Sequence, residues 1–172
     1  MSWPRLVAAT LLSLAAAGCI RPVYGPTASG VSVRDSLAAI EVAPVSTALN
    51  QERLGHQLRS ELVFALDGSG EPSPKRFKLD LEAAESVQVT TVDVVTGRAD
   101  AAILNVTVTY ALKSSDGTRE LTKGTARGTA TYYRDQQRFA SIRAARDAEV
   151  RVAKLVTEDL KQRLAAIFAT MP

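Results

Sequence analysis

Apolar residues recur along this chain with two periods, and the switches between them mark out its elements. Phe77, Leu79, Leu81 and Ala83 alternate with Lys78, Asp80 and Glu82. A strand with one buried and one wet face imposes that period of two, and here it runs on through Val87 and Val89. Leu104, Val106, Val108, Tyr110 and Leu112 alternate in the same way with Ile103, Asn105, Thr107 and Thr109. Ser114-Ser115-Asp116-Gly117 is a hairpin turn, and a Thr-rich return strand follows from about Glu120 to Tyr133. Thr96-Gly97-Arg98 reads as the turn before the Leu104 strand.

The helical period governs two other stretches. Leu54, Leu58, Leu62 and Ala65–Leu66 form one stripe, with Arg53, Arg59 and Glu61 off it. Asn50 is placed to cap this helix, and Asp67-Gly68-Ser69-Gly70 to stop it. From Ser141 to Phe168 a second stripe passes through Ile142, Ala145, Ala148, Val152, Val156, Leu160, Leu164 and Ile167, which makes a helix of about 42 Å. Ala38 to Val45, closed by Pro44, reads as a first strand. The order is then β-α-β-β-β-α. It predicts an α+β two-layer sandwich, a four-stranded mixed sheet with both helices on one face. The other face is left open, with Thr, Lys, Arg and a few apolar residues such as Ile103.

The N-terminus obeys neither period. Arg5 precedes an unbroken apolar or small run from Leu6 to Ala17, about 18 Å of helix, too short for a hydrocarbon core of about 30 Å. A charged start, a short apolar middle and small residues at the end describe a secretory signal. The run ends Leu14-Ala15-Ala16-Ala17-Gly18-Cys19, and Cys19 is the one cysteine in the chain. That junction resembles the lipobox of bacterial lipoproteins, in which the signal is cut before the cysteine and the thiol is acylated. The expected organisation is a signal peptide at 1–18, a lipidated tether at 19–36 and a single α+β domain at 37–169. With Cys19 acylated, no disulfide is possible and the domain folds on its core alone.

Composition narrows the chemistry. The formal charge is +3, and loss of Arg5 with the signal leaves +2, too mild for a nucleic-acid partner. His56 is the single histidine and lies beside its helical stripe, so neither a nucleophilic triad nor a zinc site has its parts. No phosphate-loop or dinucleotide fingerprint occurs. Asp80 and Glu82 share a strand face, as charges on the wet side of a strand do. An enzyme, a metal and a soluble cofactor are therefore not expected. Asn105-Val106-Thr107 matches a glycosylation sequon but falls within a strand. Gly124 and Gly128 share a face of the return strand, which fits either close approach of another backbone or acyl chain, or relief of sheet twist. Arg98, Lys113, Arg119, Lys123 and Arg127 gather around the strand connections, where they form either a phosphate site or a solvated hairpin.

With these features placed, the chain resembles the lipopolysaccharide-assembly lipoprotein family LptE, in its alphaproteobacterial form. The resemblance rests on Cys19-Ile20-Arg21-Pro22-Val23-Tyr24-Gly25 after the lipobox and on Arg53-Leu54-Gly55-His56-Gln57-Leu58-Arg59-Ser60-Glu61-Leu62 in the first helix. It also rests on Arg143-Ala144-Ala145-Arg146-Asp147-Ala148-Glu149, running into Leu160-Lys161-Gln162-Arg163-Leu164, in the last. It implies an outer-membrane lipoprotein, anchored through lipid on Cys19 and facing the periplasm. Such a protein plugs and helps assemble an LptD-type β-barrel and delivers lipopolysaccharide to the outer leaflet. The resemblance points to Arg98, Lys113, Lys123 and Arg127 as ligand-binding residues. Two other roles suit a small tethered α/β domain: accessory to an ABC-type lipid transporter, or activator of peptidoglycan synthesis.

Overall fold

The computed structural model describes residues 32–68, 73–92, 99–134 and 137–171. The chain passes through α1 (Val33–Ala38), β1 (Ile40–Val42), β2 (Ser46–Thr47), α2 (Glu52–Asp67), β3 (Phe77–Val92), β4 (Ala99–Ser114), β5 (Glu120–Tyr133) and α3 (Arg138–Thr170). The sheet is mixed. Its order is β1-β3-β4-β5, with β2 also on β3. β1 and β2 run parallel to β3, while β3, β4 and β5 form an antiparallel meander. This is the expected α+β sandwich with helices on one face.

Three local expectations are corrected. The first strand is split: β1 pairs with Phe77–Leu79 and β2 with Glu82–Ala83, along the same edge of β3. Pro44 lies in the break, where it has no N–H to give a ladder, and Ala43 N–H bonds Leu79 O at 3.0 Å. The stretch from Val33 to Ser36, read as the end of the tether, is helical instead. Ser32 Oγ accepts from Asp35 N–H at 3.0 Å as the cap, and Val33, Ser36 and Leu37 are buried. A one-turn helix has too few apolar residues to show a period. Asn50 does not cap α2 but turns the chain at φ 74°, a conformation Asn tolerates. Gln51 holds the cap position, and its side chain exchanges two 3.1 Å hydrogen bonds with the backbone of Glu85. The helix is thereby fastened to β3.

The core lies between the helices and the inner sheet face. Leu54, Leu58 and Leu62 of α2 and Val152, Val156, Leu160 and Leu164 of α3 meet Leu79, Leu81, Leu104, Val106, Val108 and Leu112 there. All of these side chains are at most 4% exposed. Phe77 and Phe168 close one end, ring centroids 5.1 Å apart. Gly124 and Gly128 face this core. A Cβ on Gly128 would lie 2.8 Å from Val156 Cγ2, and one on Gly124 2.9 Å from the Tyr110 hydroxyl. The glycines therefore admit the protein's own α3, the Val152 backbone included, and the Tyr110 ring.

Candidate functional site

Strand alternation puts the polar residues of β3, β4 and β5 on the outer face in cross-strand rows. From one end these run Lys78–Lys113–Glu120, Asp80–Ala111–Lys123, Glu82–Thr109–Thr125, Ala84–Thr107–Arg127, Ser86–Asn105–Thr129 and Gln88–Ile103–Thr131. No described helix covers this face. Threonine and small side chains dominate its middle rows, which also carry Glu82 and Arg127, while charge is densest at the Lys78 end.

The expected binding residues do not form one cluster. Lys113 and Lys123 lie in neighbouring rows at the charged end. Arg127 is four residues further along β5, about 13 Å away. Arg98 lies outside the described residues. The β3–β4 and β4–β5 connections bracket β4 at opposite ends, because Ala99 starts it and Ser114 finishes it. A 16-residue antiparallel strand separates its ends by about 50 Å.

Neither lysine is free. Lys113 Nζ donates to Asp80 Oδ2 at 2.8 Å, and that hydrogen bond raises its pKa. Lys78 Nζ lies 3.9 Å from the same carboxylate. Lys123 Nζ is 3.5 Å from Glu120 Oε1. Asp80 therefore separates two lysines set directly opposite each other, as expected for a wet strand face. The guanidinium of Arg127, exposed on the same face, has no partner among the described residues.

A denser set of free cations occurs where β5 passes into α3. Arg134, Arg138, Arg143 and Arg146 are exposed and have no ion-pair or hydrogen-bond partner among the described residues. The nearby acids are committed elsewhere: Asp147 Oδ2 holds Arg151 Nε at 2.8 Å, and Glu149 Oε2 holds Arg53 Nε at 2.8 Å. At 100° per residue, Arg138, Phe139, Ile142, Arg143 and Arg146 fall within about 140° of the helix circumference. Phe139 is 82% exposed, Ile142 is exposed beside it, and Tyr133 is 79% exposed just upstream. α3 has no acidic residue in its first turn and no side-chain cap, so the positive end of its dipole adds to the arginines. The result is an apolar surface set among unneutralised guanidinium groups. The sequence carried the signal, arginines spaced through the first turns of a helix whose apolar stripe has not yet reached the core. Reading that stripe as buried from Ile142 onward hid it. In the structure α3 enters the core only at Ala148.

Other candidate chemistry is sparse. His56 is exposed and lines two shallow hollows beside α2. Among the described residues no group of three or more His, Cys, Asp or Glu is placed to hold a metal. No described helix is long and apolar enough to cross a membrane. Cys19 lies outside the described residues.

The family model described as LptE, lipopolysaccharide-assembly, matches residues 37–164. No curated protein matches the chain. Among solved structures it is similar to a Caulobacter crescentus CB15 protein provisionally described as a lipoprotein. That pair shares 28% identity and a TM-score of 0.63, over 81% of this chain and 97% of the other. It is also similar to a minor lipoprotein of Acinetobacter baumannii, at 14% identity and a TM-score of 0.49, over 76% and 94% of the two chains. Rare lipoprotein B of Shewanella oneidensis gives 14% and 0.43, over 76% and 95%.

Proposed function

Because the chain belongs to the LptE lipopolysaccharide-assembly family, we propose that it is a lipid-anchored, periplasm-facing outer-membrane protein that plugs an LptD-type β-barrel. There it binds lipopolysaccharide and passes it towards the outer leaflet. The observation that carries the binding role is the α3 entrance, where unpaired Arg134, Arg138, Arg143 and Arg146 surround exposed Phe139 and Ile142. Lipopolysaccharide has the complementary chemistry, phosphates joined to acyl chains. Guanidinium groups without internal partners meet phosphate bidentately and lose no ion pair in doing so. Phe139 and Ile142 offer apolar area to the chains. Lys113, Lys123 and Arg127 form an auxiliary site on the outer face. There phosphate competes with Asp80 and Glu120 for the lysines, and only Arg127 is free.

The polar outer sheet face suits the wall of a barrel lumen, which is itself polar. The role is binding and delivery, without a catalytic step, and it requires no cofactor beyond the lipid on Cys19.

Binding of the full chain to lipopolysaccharide tests the ligand assignment. Each charge-assisted bond to phosphate contributes roughly 1.5–3 kcal/mol. Replacing Arg138, Arg143 and Arg146 with Glu should therefore weaken binding at least tenfold, while Lys113→Glu with Lys123→Glu should have a smaller effect. Dephosphorylated lipopolysaccharide should bind the wild type and the triple variant alike. Equal affinity of folded wild type and triple variant for the phosphorylated ligand would remove the α3 entrance from the reading. Capture of an inner-membrane transporter or a cell-wall synthase, in place of a large barrel, would overturn the partner.

A further inference from the structure

Two arginines of α3 reach over the free edge of β5 in the same way. Arg151 Nε donates to Asp147 Oδ2 at 2.8 Å, and its Nη2 to the Thr131 carbonyl at 3.0 Å. Arg163 Nε donates to Asp159 Oδ1 at 2.8 Å, and its Nη1 to the Thr125 carbonyl at 3.3 Å. The unit Asp-x-x-x-Arg thus occurs twice, an interval of about 18 Å along the helix. The two carbonyls it reaches are separated by about 20 Å of strand. Helix and strand are in step. In each unit the acid orients the guanidinium and leaves its outer nitrogen for the sheet.

β5 ends the strand order β1-β3-β4-β5, so one side of its backbone has no strand neighbour among the described residues. Antiparallel pairing turns both polar groups of every second residue to the same side. Arg127 and Thr129 therefore present theirs to the same edge as Thr125 and Thr131. Between the two arginines a groove of about 330 Å³ opens, lined by Thr129, Ala130, Arg151, Lys154, Leu155 and Glu158. The segment Thr125-Ala126-Arg127-Gly128-Thr129-Ala130-Thr131 is close to self-complementary. An antiparallel pair of two such strands, with its two-fold axis at Gly128, sets Thr125 against Thr131, Ala126 against Ala130 and Arg127 against Thr129. No like charges and no bulky groups are opposed, as an isologous interface requires.

We propose that Arg151 and Arg163 are edge guards, which hold β5 closed against strand pairing with a second copy of this chain. The carbonyls they occupy are the acceptors of the two outer Thr125–Thr131 pairs in that dimer. Their charged heads also stand in the path of an incoming strand. Inserted charge at a sheet edge is a known defence against edge-to-edge association. The proposal is independent of the ligand assigned to the α3 entrance.

The test is the oligomeric state of the full chain in detergent, by sedimentation, with amide hydrogen exchange on β5. Arg151→Met with Arg163→Met keeps the aliphatic stems on the helix and removes the donors. The wild type should be monomeric. The double variant should associate at least tenfold more tightly, with the Arg127 and Thr129 amides newly protected. Adding Thr129→Pro removes an outward N–H from an edge position that tolerates proline, and should restore the monomer. If the double variant does not fold, each single variant frees one of the two acceptors and should show weaker association of the same kind. A folded variant that stays monomeric, a dimer indifferent to Thr129→Pro, or a wild type already paired through β5 would each overturn the proposal.

Discussion

Thr157 places a hydroxyl on the buried side of α3, 3% exposed and without a hydrogen-bond partner for its Oγ1. A buried hydroxyl that has lost water and gained nothing costs about 1–3 kcal/mol, and valine fills the same volume without it. Thr157→Val should stabilise the fold by about 1 kcal/mol and raise Tm by about 2–4 °C, read by thermal unfolding. A lowered Tm would mean that the hydroxyl has a role. Residue identity was a good guide where the backbone alone sets a side chain's direction. The alternation around Asp80 correctly put Asp80 and Glu82 on one wet face. It gave no hint that Lys113 is spoken for at 2.8 Å while Arg127, Arg138, Arg143 and Arg146 are free. Partners are chosen by distances across strands and helices.

At the scale of elements α3 carries most of the consequences, because its two ends do different work. From Ala148 onward it fills the core, and Leu160 is fully buried. Leu160→Asp would strand a charge there at a cost of roughly 4–5 kcal/mol, a large part of a typical 5–15 kcal/mol stability. Loss of cooperative unfolding at 25 °C, or a Tm lowered by more than about 8 °C, is the expected result. An unchanged Tm would place this stripe outside the core.

Where α2, α3 and β3 meet, Arg53 pairs with Glu149, and Glu85 lies close to both. Burial first, and then the Glu149 charge, raise the Glu85 pKa, against the opposing pull of Arg53. The folded state thus holds this proton more tightly than the unfolded chain does. Stability from Glu85 is present below the unfolded carboxylate pKa and is lost as pH rises through the raised folded value. Glu85→Gln should therefore be stabilising at pH 7 and nearly neutral at pH 3, by denaturant unfolding at both. A gain at pH 3 as large as that at pH 7 would refute the assignment.

For the whole molecule, the lipid proposed on Cys19 supplies the membrane affinity, since each buried methylene adds about 0.8 kcal/mol and two or more chains anchor stably. Cys19→Ser should leave the chain uncut or unanchored, and fractionation without its partners should find it outside the outer-membrane pool. Retention there would refute the anchor. α1 begins at Val33, inside the stretch expected to be tether.

The sequence by itself determined whatever depends on local period and punctuation: two helices with one apolar face each, alternating strands, and a Thr-rich sheet face turned away from the helices. Covalent geometry settles these, since 3.6 and 2 are the only periods that put successive apolar side chains on one side. The order of the elements then constrained the sandwich, and motif resemblance supplied the family. Only the tertiary structure decided that Pro44 splits the edge strand and that Gly128 makes room for Val152 and Val156. It also decided that Lys113 and Lys123 are paired while Arg138, Arg143 and Arg146 are not. It put Arg151 and Arg163 on the β5 carbonyls, twenty and thirty-eight residues away along the chain. These outcomes depend on which distant atoms come within about 3 Å, a distance that packing sets and no local pattern encodes.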